Sequence, residues 1–139
     1  MRVGLIYFPK DNSSKTLKDI AVSLGSGIEK QGIQVDIING FSLENKKVSF
    51  YDYICLGAES RAFFSSKLPE RVDKVIKGLG LVSGKRAYAF TVKNGIRSQK
   101  TLSLLMSLME KEGLYLKKSD VIGSSADAEY IGRKLHIIK

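Results

Sequence analysis

The chain has 139 residues, 43% hydrophobic and 27% charged, which is enough apolar side chain for one domain with one core and argues against disorder. One cysteine and one histidine exclude an internal disulfide and a zinc-type ligand cluster, and no apolar run approaches the roughly 18–20 residues of a membrane helix. With 23 basic and 14 acidic residues the net charge is +9, which favours anionic partners but has no bearing on fold.

Arg2–Phe8 is an almost unbroken apolar stretch and predicts a central strand covered on both faces. It carries no cleavage site, so the expected location is cytoplasmic. After the polar segment Pro9–Ser14, apolar residues at Leu17, Ile20, Ala21, Leu24 and Ile28 form one helical stripe, with Asn12 or Ser13 suited to cap its start and Gly32 to end it. Ile33–Ile38 reads as a second strand, followed by Asn39–Gly40 and a polar stretch, Ser42–Lys47, without a convincing helix. A third strand, Tyr53–Leu56, stops at Gly57. Pro69 opens a stripe through Val72, Val75, Ile76 and Leu79, because proline in a first turn loses no intrahelical bond. Arg86–Val92 is a fourth strand, Asn94–Gly95 a turn, and Leu102, Leu105, Met106 and Met109 mark the next helix, up to Gly113. A fifth strand lies within Leu114–Ile122, with Lys117 and Lys118 read as a solvated strand end. The last helix turns Ala128, Ile131, Leu135 and Ile138 inward.

Strands alternating with helices imply right-handed crossovers and a parallel sheet between two helical layers. The segment Phe8–Ser14 contains no glycine, so the glycine-rich turn of dinucleotide-binding folds is absent.

The run Tyr51-Asp52-Tyr53-Ile54-Cys55-Leu56-Gly57 resembles the third strand of the flavodoxin family. Leu68-Pro69-Glu70-Arg71-Val72 is similar to the start of that family's next helix. Ser83-Gly84-Lys85-Arg86 before Ala87–Val92, and Ala128-Glu129-Tyr130-Ile131-Gly132-Arg133-Lys134-Leu135 near the end, also fit. These fragments occur in the right order along the whole chain. The resemblance implies a single three-layer α/β domain over 1–139, a flavodoxin-like fold whose five-stranded parallel sheet has the order 2-1-3-4-5, with ligands outside the carboxyl ends of strands one and three.

The resemblance further implies FMN as cofactor and electron transfer as activity, with no side chain acting as a catalytic acid or base. Its phosphate would meet Asn12, Ser13, Ser14 and Thr16 at a helix N-terminus. The family's glycine is here Asn12, which tolerates left-handed backbone; Asp11 replaces a hydroxyl and Pro9 removes an amide donor. Capping by Asn12 and Ser13 and binding of a phosphate both remain open for this segment. Gly57, Arg61 and Phe63 (or its neighbour Phe64) would lie beside the flavin ring, and Asn94 and Gly95 in a third loop that has no aromatic. One of the two phenylalanines is expected to be core.

The segments Pro9–Thr16, Ala58–Lys67 and Val92–Lys100 contain seven basic and two acidic residues, +5 of the net +9. If they share an edge of the sheet, that edge attracts anions, whereas the plainer reading is a set of solvated lysines screened by salt. Cys55 in its apolar strand reads as structural, His136 as a surface residue, and Met106 with Met109 as core. Two functions compete: an FMN-binding electron carrier with an acidic redox partner protein, and a flavin-free binding or regulatory module that recognises an anionic small molecule or partner. Nucleic-acid binding has no motif to support it beyond charge.

Overall fold

The structure, a computed structural model, describes residues 1–43, 48–62, 65–93 and 96–137. Five parallel strands form one sheet in the order β2-β1-β3-β4-β5: β1 (Arg2–Phe8), β2 (Gln34–Asn39), β3 (Tyr53–Ala58), β4 (Arg86–Val92) and β5 (Tyr115–Ile122). Among the described residues, α1 (Thr16–Glu29), α2 (Val72–Lys77) and α3 (Ser98–Lys111) lie between strands, α4 (Ser125–Lys134) follows β5, and Gly40–Ser42 makes a 3₁₀ turn. The single α/β domain and its strand order are those that the resemblance implies.

Side chains on a strand alternate between faces, and the central strands therefore build two cores. Val3, Leu5 and Tyr7 of β1, Tyr53 and Cys55 of β3, and Tyr88 and Phe90 of β4 meet Leu17, Ile20, Leu24 and Ile28 of α1 and Ala128 of α4. The intervening residues, Ile6, Phe8, Ile54, Leu56, Ala87 and Ala89, pack on the other face against Val72 and Ile76 of α2 and Leu102, Leu105 and Met109 of α3. Full burial of each large side chain contributes about 1.5–3 kcal/mol relative to exposure. Burial pushes the Cys55 thiol far up, so it packs as a small apolar group.

Helices α1 and α4 lie side by side on one face because Gly27 and Gly132 face each other: the absent Cβ of Gly27 leaves room for the Glu129 carbonyl, and that of Gly132 for the Leu24 carbonyl. The Lys30 ammonium meets the Glu129 carboxylate at 2.7 Å, with Arg133 at 3.0 Å from the same oxygen.

Several boundaries differ from the sequence reading. Strand β3 runs on through Gly57 and Ala58, because both pair in register with Tyr7 and Phe8 of β1. Pro69 does not open α2: the helix begins at Val72, and the chain turns first at Arg71, where φ is 74°. Helix α1 has Lys15 at its N-cap with no side-chain hydrogen bond, so neither Asn12 nor Ser13 caps it. Lys117 and Lys118 lie inside β5 rather than at its end, and the β4–β5 register skips Lys117 at a bulge opposite Ala87 and Tyr88. Charge and a bulge on this edge strand oppose pairing with another sheet. In the last segment Leu135 and Ile137 are buried, while Ile138 lies outside the described residues. Among the described residues no helix is long and apolar enough to cross a membrane.

Candidate functional site

Because all strands are parallel, the loops that leave β1, β3 and β4 emerge on one edge of the sheet. β1 has β2 on one side and β3 on the other, so the winding direction reverses between β1 and β3, where α/β sheets hold their ligands. Of the seven basic residues counted above, Lys10, Lys15, Arg61, Lys67, Lys93 and Arg97 belong to these loops and Lys100 to the first turn of α3, and all are exposed.

Between β1 and α1 the chain turns on its own carboxylate. Asp11 Oδ1 accepts from the Ser13 amide at 2.9 Å, the Ser13 hydroxyl at 2.7 Å and the Ser14 amide at 2.9 Å. This is the local turn that aspartate favours, and it explains why Ser13 is not available to cap the helix. The Ser13 hydroxyl foremost, helped by the two amides and nearby Lys10, holds the Asp11 carboxyl below its ordinary value of 3.8, outweighing the opposing effect of desolvation.

A second carboxylate arrives from the β3–α2 loop. Glu59 is only 1% exposed, and its Oε1 accepts from the Lys10 amide and from the Ser14 hydroxyl, both at 2.8 Å. Its Oε2 is buried without a hydrogen-bond partner. Beyond Glu59 the loop closes on itself through the Arg61 amide and the Lys67 carbonyl at 3.0 Å, and the Thr101 hydroxyl of α3 ties down the Ser66 carbonyl at 3.0 Å.

A cleft of about 400 Å³ opens beside these loops. It is lined by Pro9–Asn12 of the β1–α1 loop, by Arg61 and Pro69–Arg71 of the β3–α2 loop, and by Phe41. Its cations are Lys10, Arg61 and Arg71; of its two acids, Asp11 is engaged with the serines and Glu70 lies 3.9 Å from Arg61 on an open surface. An exposed pair at that distance contributes little and leaves the guanidinium accessible. Arg71 enters the cleft from the one left-handed non-glycine residue among the described residues. Such backbone is costly and recurs where side chains are held for binding.

The structure thus brings Asn12, Ser13, Ser14, Arg61 and Gly57 to one edge, in unequal roles. Asn12 lines the cleft and is not left-handed. Ser13 and Ser14 are turned onto carboxylates. Thr16 is the exposed first residue of α1. Gly57 lies within β3, where the Phe90 ring fills the space a Cβ would need. Phe63, Phe64, Asn94 and Gly95 lie outside the described residues. Sequence reasoning missed Glu59, Phe41 and Arg71. An acidic residue directly after a buried strand was the visible signal for the first; the other two are joined to the site only by the fold.

Just ahead of α1, where the resemblance implies a phosphate, the Ser13 and Ser14 amides and both serine hydroxyls already serve carboxylates, and Pro9 has no amide hydrogen to offer.

Solved structures share this architecture along nearly the whole chain. A flavodoxin from the domain Archaea is 17% identical, with a TM-score of 0.73 over 97% of this chain and 96% of its own. A cysteine-to-serine mutant of flavodoxin from Pseudomonas aeruginosa is 12% identical, with a TM-score of 0.75 over 96% of this chain and 95% of its own. The two-electron reduced flavodoxin of Megasphaera elsdenii is 15% identical, with a TM-score of 0.72 over 94% and 96% respectively. No model of a known protein family and no curated protein matches the sequence.

Proposed function

From the flavodoxin-like fold of this chain, we propose that it is a flavin-free binding module that recognises an anionic ligand or acidic partner in the cleft between the β1–α1 and β3–α2 loops. One observation carries this reading: Lys10, Arg61 and Arg71 line an open cleft of about 400 Å³, while the Ser13 and Ser14 donors just ahead of α1 are engaged by Asp11 and Glu59. That volume lies within the range of small-molecule sites, and guanidinium groups suit planar oxyanions because their forked donors match two oxygens at once. The basic residues of the neighbouring loops raise the local concentration of anions around it. The protein's task on this reading is recognition, since fold alone does not fix chemistry.

The test is an amide-resolved NMR titration with inorganic phosphate, run beside a fluorescence titration with FMN. The expected result is a set of phosphate-induced shifts at Lys10, Arg61 and Arg71 and unchanged FMN fluorescence. A yellow purified protein, or FMN emission that is quenched stoichiometrically, overturns the reading. The likeness to flavodoxins over nearly the full chain favours a second reading, FMN-dependent electron transfer. It requires the FMN phosphate to displace Asp11 from the Ser13 and Ser14 amides, and the same fluorescence titration decides between the two.

A further inference from the structure

Ahead of α1, Lys10, Ser13 and Ser14 present hydrogen-bond donors of the kind that a helix N-terminus ordinarily offers to an anion. Here they converge on two carboxylate oxygens from different parts of the chain. Asp11 Oδ1 takes three of them, and Glu59 Oε1 takes the Lys10 amide and the Ser14 hydroxyl, so Ser14 touches both acids at once. We propose that Asp11 and Glu59 are the specificity-determining residues of this edge: together they act as a built-in anion that excludes phosphomonoesters from the Ser13–Ser14 turn ahead of α1 and leaves the neighbouring cleft as the anion site. This rests on the function proposed above and deepens it.

A second observation shows that the Glu59 end is more than a tie between loops. Its carboxyl is almost completely buried, yet Oε2 has no partner. Leaving a buried carboxylate oxygen unpaired is unfavourable; glutamine would make both Oε1 bonds without the charge, with its NH2 in place of the unpaired Oε2. What glutamate adds at this position relative to glutamine is negative charge and a spare acceptor in place of a spare donor. Both disfavour an incoming phosphate, and the spare acceptor is suited to a hydrogen-bond donor instead. Asp11 acts in the same direction, since a neutral hydroxyl at its position would neither seize two amides nor repel an anion.

Two variants test the inference, Glu59→Gln alone and Asp11→Ser combined with Glu59→Gln, each titrated with inorganic phosphate while the Ser13 and Ser14 amides are followed by NMR. Relief of repulsion from one and then two close carboxylates predicts an affinity gain at those amides of about tenfold for the single variant and more for the double. Glu59→Gln is nearly isosteric and keeps both Oε1 bonds, so it decides the matter even if the double variant does not fold. A folded Glu59→Gln protein whose Ser13 and Ser14 amides respond to phosphate as the wild type's do overturns the inference. The Lys10, Arg61 and Arg71 signals are read in the same spectra, and their silence in the wild type would overturn the proposed function without touching the ratio between variant and wild type.

Discussion

Asp11 illustrates how one side chain redirects a loop. Its carboxyl lies below 3.8 in the folded protein, the Ser13 hydroxyl being the main cause. A depressed carboxyl contributes order that is complete above the unfolded value and disappears as pH falls through the folded one, so the turn should hold at pH 5 and open only below 3.8. The check is the pH dependence of the Ser13 and Ser14 amide shifts; a midpoint at or above 3.8 contradicts the assignment. Arg71 poses the complementary case, in which backbone strain supports a side chain. With φ at 74°, it adopts a conformation that costs an L-residue about 1 kcal/mol more than glycine. Arg71→Gly should therefore leave thermal stability equal or raise it by up to about 1 kcal/mol, glycine's extra unfolded-state freedom offsetting part of the gain, while phosphate binding in the cleft weakens. Stability lost together with binding would show that the side chain serves packing instead. Cys55 and Gly57 behave as core residues, and the Phe90 ring explains why the latter has no side chain.

Among the elements, the crossing of α1 and α4 depends most on small residues. A Cβ on Gly27 would meet the Glu129 carbonyl and lie 2.8 Å from the Arg133 nitrogen; one on Gly132 would meet the Leu24 carbonyl and lie 2.9 Å from the Ile28 nitrogen. Backbone cannot yield as a flexible side chain does, so Gly27→Ala or Gly132→Ala should cost about 2–3 kcal/mol and lower Tm by roughly 5–15 °C. Calorimetry on either variant checks this, and an unchanged Tm would mean that the two helices separate without penalty. The stripe of α1 is legible in the amino-acid sequence alone, since Leu17, Ile20, Ala21, Leu24 and Ile28 recur at helical spacing and are all buried. The facing pair Gly27 and Gly132 is not, because residues 105 positions apart have no local signal that they touch. The start of α2 is misread for a related reason: proline marks where a helix is permitted, while the left-handed turn at Arg71 decides where it begins.

For the whole molecule, alternating apolar strands and amphipathic helices were sufficient to give a parallel sheet covered on both faces, because period-2 and period-3.6 burial are properties of neighbouring residues. Full-length resemblance supplied the strand order 2-1-3-4-5, and with it the edge on which three basic loops gather. The amino-acid sequence thus determined which segments become strands and helices, which residues form the two cores, and that positive charge accumulates outside the carboxyl ends of β1, β3 and β4. Only the tertiary structure decided what those loops do with their donors. Glu59 reaches Ser14 across 45 residues of chain, and Arg71 and Phe41 join Lys10 around one cleft only after the sheet has formed. Burial patterns are written locally along a chain, whereas the satisfaction of a hydrogen bond depends on which distant group the fold brings within reach, and that is fixed in three dimensions alone.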